Sequence, residues 1–417
     1  MPSLGRDIMP QSIDQPDMRR ATGGLLSLAL MDARNHTLHL LASFEQAVAA
    51  GIEVPDAPGL ELPAWLGGHI AWLSERWIGR NPQRSLGTRC PHDALRLASI
   101  EPLADGWFDP SLAPRDRRWQ MELPDLQAVR AYLLETLEGT LELLEKAPQD
   151  DDGLYFFRAA LFHEDLRGEQ LVAMAQTLGL PLKLSLPTGS LPRDAICVQG
   201  GRWQLGSVPG GFVFDLEKWA HEVPVPEFEI DAQPVTWAQY VEFVDDGGYD
   251  RPELWRPEGW AWLSALPEGR RGPRHVDQIG VASGAVMQSL FGRPCRMSGS
   301  QPAMHVSWWE ADAWACWAGR RLPSEVEWEM AACAGGPGFH WGELREWTAG
   351  TLRPWPGFEP DAWTRHSDLE ASPHIGRARV LRGASFAARA RMKHAKWRGF
   401  ATPERDEGFV GFRSCAP

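Results

Sequence analysis

The chain of 417 residues holds 42 Lys and Arg against 55 Asp and Glu, a formal charge of −13. At roughly 100–200 residues per domain that length predicts two or three domains, and the acidic balance leaves nucleic-acid phosphates and anionic membrane surfaces as poor partners. A composition of 43% hydrophobic and 23% charged residues excludes wholesale disorder, while 21 Trp beside 4 Tyr, with 34 Pro and 41 Gly, predict turn-rich structure pinned by large aromatic anchors.

Along the chain, Met1 to Arg20 carries charges and prolines and lacks the apolar stretch of a secretory signal. No later run approaches the ~20 apolar residues that span a bilayer. The six cysteines are scattered without a Cys-x-x-Cys pair, so a cytoplasmic protein with reduced thiols is expected. Amphipathic helical period marks 22–49, 63–80, 124–146 and 154–179. It is clearest in Leu126, Val129, Leu133, Leu137, Leu141 and Leu144, with Pro124 and Asp125 suited to the helix start. The proline-rich segment 81–122 cannot continue a helix. Four helices of this kind predict a four-helix bundle over 22–190.

From about residue 190 the helical period fades, and a second domain over 205–417 is expected, with Pro187, Pro192 and Gly200-Gly201 as linker candidates. Ser307 to Glu310 and Ser324 to Glu327 have the Ser-x-x-Glu spacing of capping boxes, and a further helix is predicted near 236–245.

Two histidines, His69 and His163, stand inside apolar helical segments, where an imidazole needs a hydrogen-bond partner or a metal. They read either as two inward metal ligands from facing helices or as satisfied core histidines. A helix that supplies two ligands places them at i and i+4. Four positions after His163 stands Arg167, a cation unable to coordinate a metal, while Glu164, Asp165 and Glu169 project elsewhere around the helix. The C-terminal tail, Arg382 to Arg413, interleaves Arg with Trp397, Phe400, Phe409 and Phe412. Net charge argues against a nucleic-acid reader, leaving a pocket for an anionic or quaternary ammonium ligand, or structural ion pairs.

The runs Gly211 to Asp215, Pro234-Val-Thr236, Pro302 to Trp308, Ala318 to Trp328, Glu346-Trp-Thr348, Arg382 to Ser385 and Gly411-Phe-Arg413 resemble, in order, the formylglycine-generating enzyme/sulfatase-modifying-factor domain, a variant of the C-type lectin fold. The N-terminal half resembles the DinB-like bundle that precedes this domain in ergothioneine-type sulfoxide synthases. Arg34 to Leu38, Gly68 to Trp72, Arg80 to Arg84, Arg96 to Ile100 and Leu161 to Asp165 look closest to the selenium branch, the selenoneine synthases. The resemblance implies an α+β chain with a DinB-like four-helix bundle followed by a C-type-lectin-like domain.

It also implies a non-heme Fe(II) enzyme that uses O2 to join selenium from a selenosugar, or alternatively sulfur from a thiol, to the imidazole of hercynine. His69 and His163 match the first two iron histidines, and the third falls on Arg167. Glu164 or His36 would then have to supply the third donor, unless the site binds iron weakly or the chain is a non-catalytic paralogue that keeps its pocket. By the same likeness Trp397, Arg398, Phe400, Arg405 and Asp406 line the hercynine pocket, and the second substrate approaches from Arg80 and Arg84. The tyrosine that follows Glu-Trp-Thr in the sulfur enzymes is replaced by Leu352 or Trp355. Formylglycine generation is excluded, because 382–413 holds no cysteine, and Cys333 and Cys415 are read as buried small hydrophobes.

Overall fold

Long helices form where the apolar period is strongest. The computed structural model describes residues 12–267, 270–280 and 284–417. The first eleven residues of the segment read above for a secretory signal lie outside the described residues. The first half contains α1 (Gly23–Ala49), α2 (Pro63–Ser74), a short α3 (Ala104–Phe108), α4 (Leu126–Glu145) and α5 (Asp151–Leu178). Asp125 caps α4 by accepting the Ala128 N–H at 2.8 Å, and Asp150 caps α5 by accepting that of Gly153 at 2.7 Å. This second cap starts α5 three residues before the expected position. Gly179, at φ +68°, closes the helix. The helix expected over 63–80 is shorter: α2 ends at Ser74, and Glu75–Gly79 forms a wider π-type turn. Helices α1 and α2 each pack against both α4 and α5.

No regular element occurs between α5 and the first strand. The second half then runs β1 (Ile196–Val198), β2 (Gly201–Leu205), β3 (His221–Val225), β4 (Phe228–Ile230), α6 (Trp237–Asp245) and α7 (Pro257–Ala265). It continues with β5 (Val276–Gly280), β6 (Ala285–Leu290), β7 (Arg293–Met297), α8 (Trp308–Trp317), α9 (Glu325–Ala334), β8 (Arg345–Thr351), β9 (Arg379–Gly383), β10 (Arg398–Ala401) and β11 (Val410–Phe412). The molecule is therefore mixed helix and sheet. Capping boxes close the starts of α6, α8 and α9 (Thr236/Gln239, Ser307/Glu310 and Ser324/Glu327). Helix α7 has no counterpart among the expected elements. The strands form small sheets, of which the four-stranded one has the order β10-β9-β8-β11, with β11 parallel to β8.

The largest apolar cluster runs through both halves, joining Trp65, Phe157 and Phe162 of the helices to Trp237, Trp308 and Phe412 beyond them. The cysteines are free. Cys415 is buried as expected, whereas Cys333 is exposed on α9, because the helix turns that position away from the core. Among the described residues no helix is long and apolar enough to cross a membrane.

Gly68 on α2 lies so close to α3 that an added Cβ would come within 2.1 Å of the Phe108 ring. Gly68→Ala is therefore expected to overpack this contact and cost about 1–3 kcal/mol. Thermal unfolding checks it, and an unchanged midpoint would show that the contact is looser than described.

Candidate functional site

Helices α2 and α5 bring the two histidines together. The rings of His69 and His163 meet edge to face with centroids 5.2 Å apart, in a nest of aromatic rings. Trp65 and Trp72 stack on His69 at 4.7 and 5.5 Å, and Trp363 meets His163 edge-on at 6.1 Å. Both imidazoles are almost wholly buried. Burial, then the nearby Arg167 cation, pushes His69 down to about 3 and holds His163 well below the usual imidazole range.

Their hydrogen bonds fix the tautomers. The carbonyl of Phe108 can only accept, so His69 donates through Nδ1 (2.9 Å) and its Nε2 carries a lone pair that meets no partner. This arrangement suits a metal ligand, whose second nitrogen is oriented by a carbonyl. His163 differs. Its Nε2 accepts from Arg167 Nε at 3.1 Å, so the ring proton sits on Nδ1, which has no partner.

Arg167 is held on every side. One guanidinium nitrogen donates to Gln170 (2.8 Å) and Asp368 (2.7 Å), and the other donates to the second Asp368 oxygen at 2.6 Å. Asp368 stands open to a cavity. Its surroundings alone would raise its pKa, but the Arg167 charge overrides them and holds the carboxyl well below the usual range. Residues 163 and 167 are one turn apart, so the guanidinium occupies the place where the resemblance puts a third iron histidine.

Neither proposed substitute reaches the pair. Glu164 is locked to Arg34 by two bonds of 2.9 and 3.1 Å. His36 lies on α1 against Gly168, in the field of Arg389 and Asp32. Among the described residues no three His, Cys, Asp or Glu side chains form a group able to hold a metal. His69 fits a metal, but the lone pair of His163 is committed and the third position carries a fixed positive charge. The residues present do not complete a three-histidine iron centre.

Beside this cluster opens a cavity of about 530 Å³, lined by Arg167, Glu169, Arg345, Asp368, Trp397, Phe400, Arg405 and Glu407 among others. Its guanidinium groups face carboxylates: Arg345 pairs with Glu169, and Arg405 with Glu407 at 2.8 Å. Trp397 packs on the Arg345 guanidinium, 3.6 Å from ring centre. Three of the five tail residues thus share one cavity with Arg167.

Arg398 instead turns to Glu325 at 2.7 Å and to the Trp355 ring, the carboxylate of Glu325 drawing its guanidinium away from the cavity. Asp406 is taken by Arg270 and Arg274 at 2.7 and 2.9 Å. Arg80 is clamped to Asp105, and Arg84 bonds the Asn81 carbonyl; neither lines this cavity. Leu352 packs with Leu216 and Val380 in a separate apolar cluster, and Trp355 meets His221. Neither stands at the histidine pair. Asp368 and Trp363, which touch the cluster directly, escaped the sequence reading because they lie in an irregular stretch. The only signal was indirect: a buried Arg167 requires a counter-charge.

The sulfatase-modifying factor enzyme 1-like domain family matches residues 186–343. A hercynine oxygenase of Mycolicibacterium smegmatis is 31% identical over 404 residues, covering 84% of this chain and 89% of the relative. That of Mycolicibacterium thermoresistibile is 30% identical, covering 93% and 94%. A formylglycine-generating enzyme of Streptomyces coelicolor is 27% identical, covering 54% and 89%.

Two outcomes are expected of this cluster. Arg167→His should create a third imidazole and produce a Co(II) visible spectrum at one equivalent, which the parent protein should lack; equal spectra would show that Arg167 does not block the site. In the unfolded chain the two histidines titrate near pH 6.5, so below that pH the unfolded state binds more protons than the folded one. Stability should therefore fall as pH drops from about 6.5 toward 3, by roughly 1 kcal/mol or more per unit. Urea unfolding at several pH values measures this, and a flat profile would mean that the imidazoles reach water.

Proposed function

This chain belongs to the hercynine oxygenase family, and from that premise we propose that it binds hercynine in the cavity beside α5. The observation that carries this reading is the lining: aromatic faces of Trp397 and Phe400 stand among carboxylate–guanidinium pairs of both signs. A betaine needs both features. Its trimethylammonium group is attracted to aromatic faces and carboxylates, and its carboxylate to guanidinium donors. Arg167, Arg345 and Arg405 already hold partners, so a ligand of zero net charge enters without leaving an unpaired charge behind.

A second reading is favoured by the unpartnered lone pair on His69 Nε2, aimed into a closed aromatic nest. Here the protein is an oxidoreductase that joins selenium from a selenosugar to the hercynine imidazole with Fe(II) and O2, the assignment favoured by the likeness to the selenium branch. Sulfur from a thiol is its alternative. Iron would supply oxygen activation, but this chain offers one free imidazole lone pair and a guanidinium where the third donor belongs. In the same reading the pairwise packing of α1, α2, α4 and α5 supports a DinB-like bundle over 22–190, followed by a lectin-like domain over 205–417.

Calorimetric titration with hercynine should give saturable binding, weakened about tenfold or more by Trp397→Ala. Absence of binding would remove the conclusion. Mass spectrometry after anaerobic Fe(II) loading, then O2 with a selenosugar or a thiol, should show no new carbon–selenium or carbon–sulfur product. Appearance of either product would replace the binding reading with the oxidative one.

A further inference from the structure

A second cavity, of about 410 Å³, lies between the turn at Pro16–Arg20 and the second half, and its lining includes neither histidine of the pair nor Arg167. The turn is anchored there: the Phe212 N–H donates to the Arg19 carbonyl at 2.7 Å, and the Arg19 guanidinium pairs with buried Glu217. Four basic side chains line the cavity, Arg19, Arg20, His394 and Lys396, together with one carboxylate, Asp17.

Their remaining hydrogen-bonding capacity is of one kind. His394 Nδ1 accepts the Lys396 main-chain N–H at 3.2 Å, which places the ring proton on Nε2 as a donor with no hydrogen-bond partner among the described residues. Arg20 is exposed and makes no ion pair or hydrogen bond among the described residues, although Asp151 lies within its field. Lys396 spends two of its three N–H donors on Glu329 and the Gln204 carbonyl. The field is also one-sided at the ring. After burial, the groups that hold His394 well below the usual imidazole range are all cations: Arg19, Lys396, Arg382 and Arg20. Arg19, Arg382 and Lys396 are already paired with Glu217 and Glu329, so the free Arg20 guanidinium, His394 Nε2–H and the third Lys396 N–H are the donors left to attract an anion.

We propose that this cavity binds a small oxyanion, a phosphate group either free or carried as an ester, held by Arg20, His394 Nε2–H and Lys396. Such a ligand would tie the N-terminal turn to the second half through charge-assisted bonds.

Calorimetry of the full chain in low salt, with inorganic phosphate and with glucose 6-phosphate, tests this. Saturable binding with a dissociation constant of about 1 mM or below is expected. It should weaken about tenfold in Arg20→Ala and also in His394→Gln. Tighter binding of the ester would identify an esterified metabolite as the ligand, and equal binding would identify the free anion. Arg20 is exposed, so Arg20→Ala should keep the parent's circular dichroism and hercynine affinity. No saturable heat from either probe up to about 20 mM, or unchanged binding in Arg20→Ala, overturns the proposal.

Discussion

About a turn and a half of α5 holds the two halves of this molecule in register, and it does so with charge pairs, two of them fully buried. Glu164 reaches back to Arg34 on α1, and Asp165 grips Arg391 from the C-terminal half at 2.6 and 2.8 Å. Arg167 takes Asp368, and Glu169 takes Arg345 and Ser385. Successive helical residues point about 100° apart, so these six positions can address α1 on one side and the second half on the others. For the two fully buried pairs, Arg34–Glu164 and Arg391–Asp165, removing one partner costs about 3–5 kcal/mol, because the other charge is left unpaired. Breaking any one of these links would therefore disturb the relative placement of the elements around the histidines.

This constraint also sets the chemistry of the site. Arg167 cannot leave without giving up its bonds to His163, Gln170 and Asp368 together. Burial and its charge together keep both imidazoles neutral, and its Nε–H takes up the lone pair that His163 would offer a metal. In a family whose resemblance implies an iron ion at this place, a covalently fixed cation stands instead, already neutralised by a carboxylate from the other half. The adjoining cavity keeps its aromatic walls and balanced charge pairs. On that combination rests the hercynine-binding reading proposed above.

Much of the fold was legible from local pattern. The apolar period located α1, α2, α4 and α5, and the Ser-x-x-Glu spacings located α8 and α9, because helix caps and amphipathic stripes are written within a few consecutive residues. The π-type turn after Ser74 and helix α7 were not legible, since neither has a short-range signature in this chain. At the site, His69, His163 and the conflict at Arg167 followed from helical spacing and family likeness. Trp397, Phe400 and Arg405 were found by likeness too, but Arg398 and Asp406, their close neighbours in sequence, point to other partners.

The sequence by itself determined the long helices of the first half, the caps of α4, α8 and α9, the two histidines inside apolar helical segments and the cation one turn beyond the second. Only the tertiary structure decided that Asp368 is the counter-ion of that cation, that Glu164 belongs to Arg34, and which tail residues reach the cavity. The reason is physical. Caps and amphipathic faces depend on residues within a turn or two, whereas the pairing of buried charges depends on which distant carboxylate packing brings within about 3 Å, a choice no local pattern encodes.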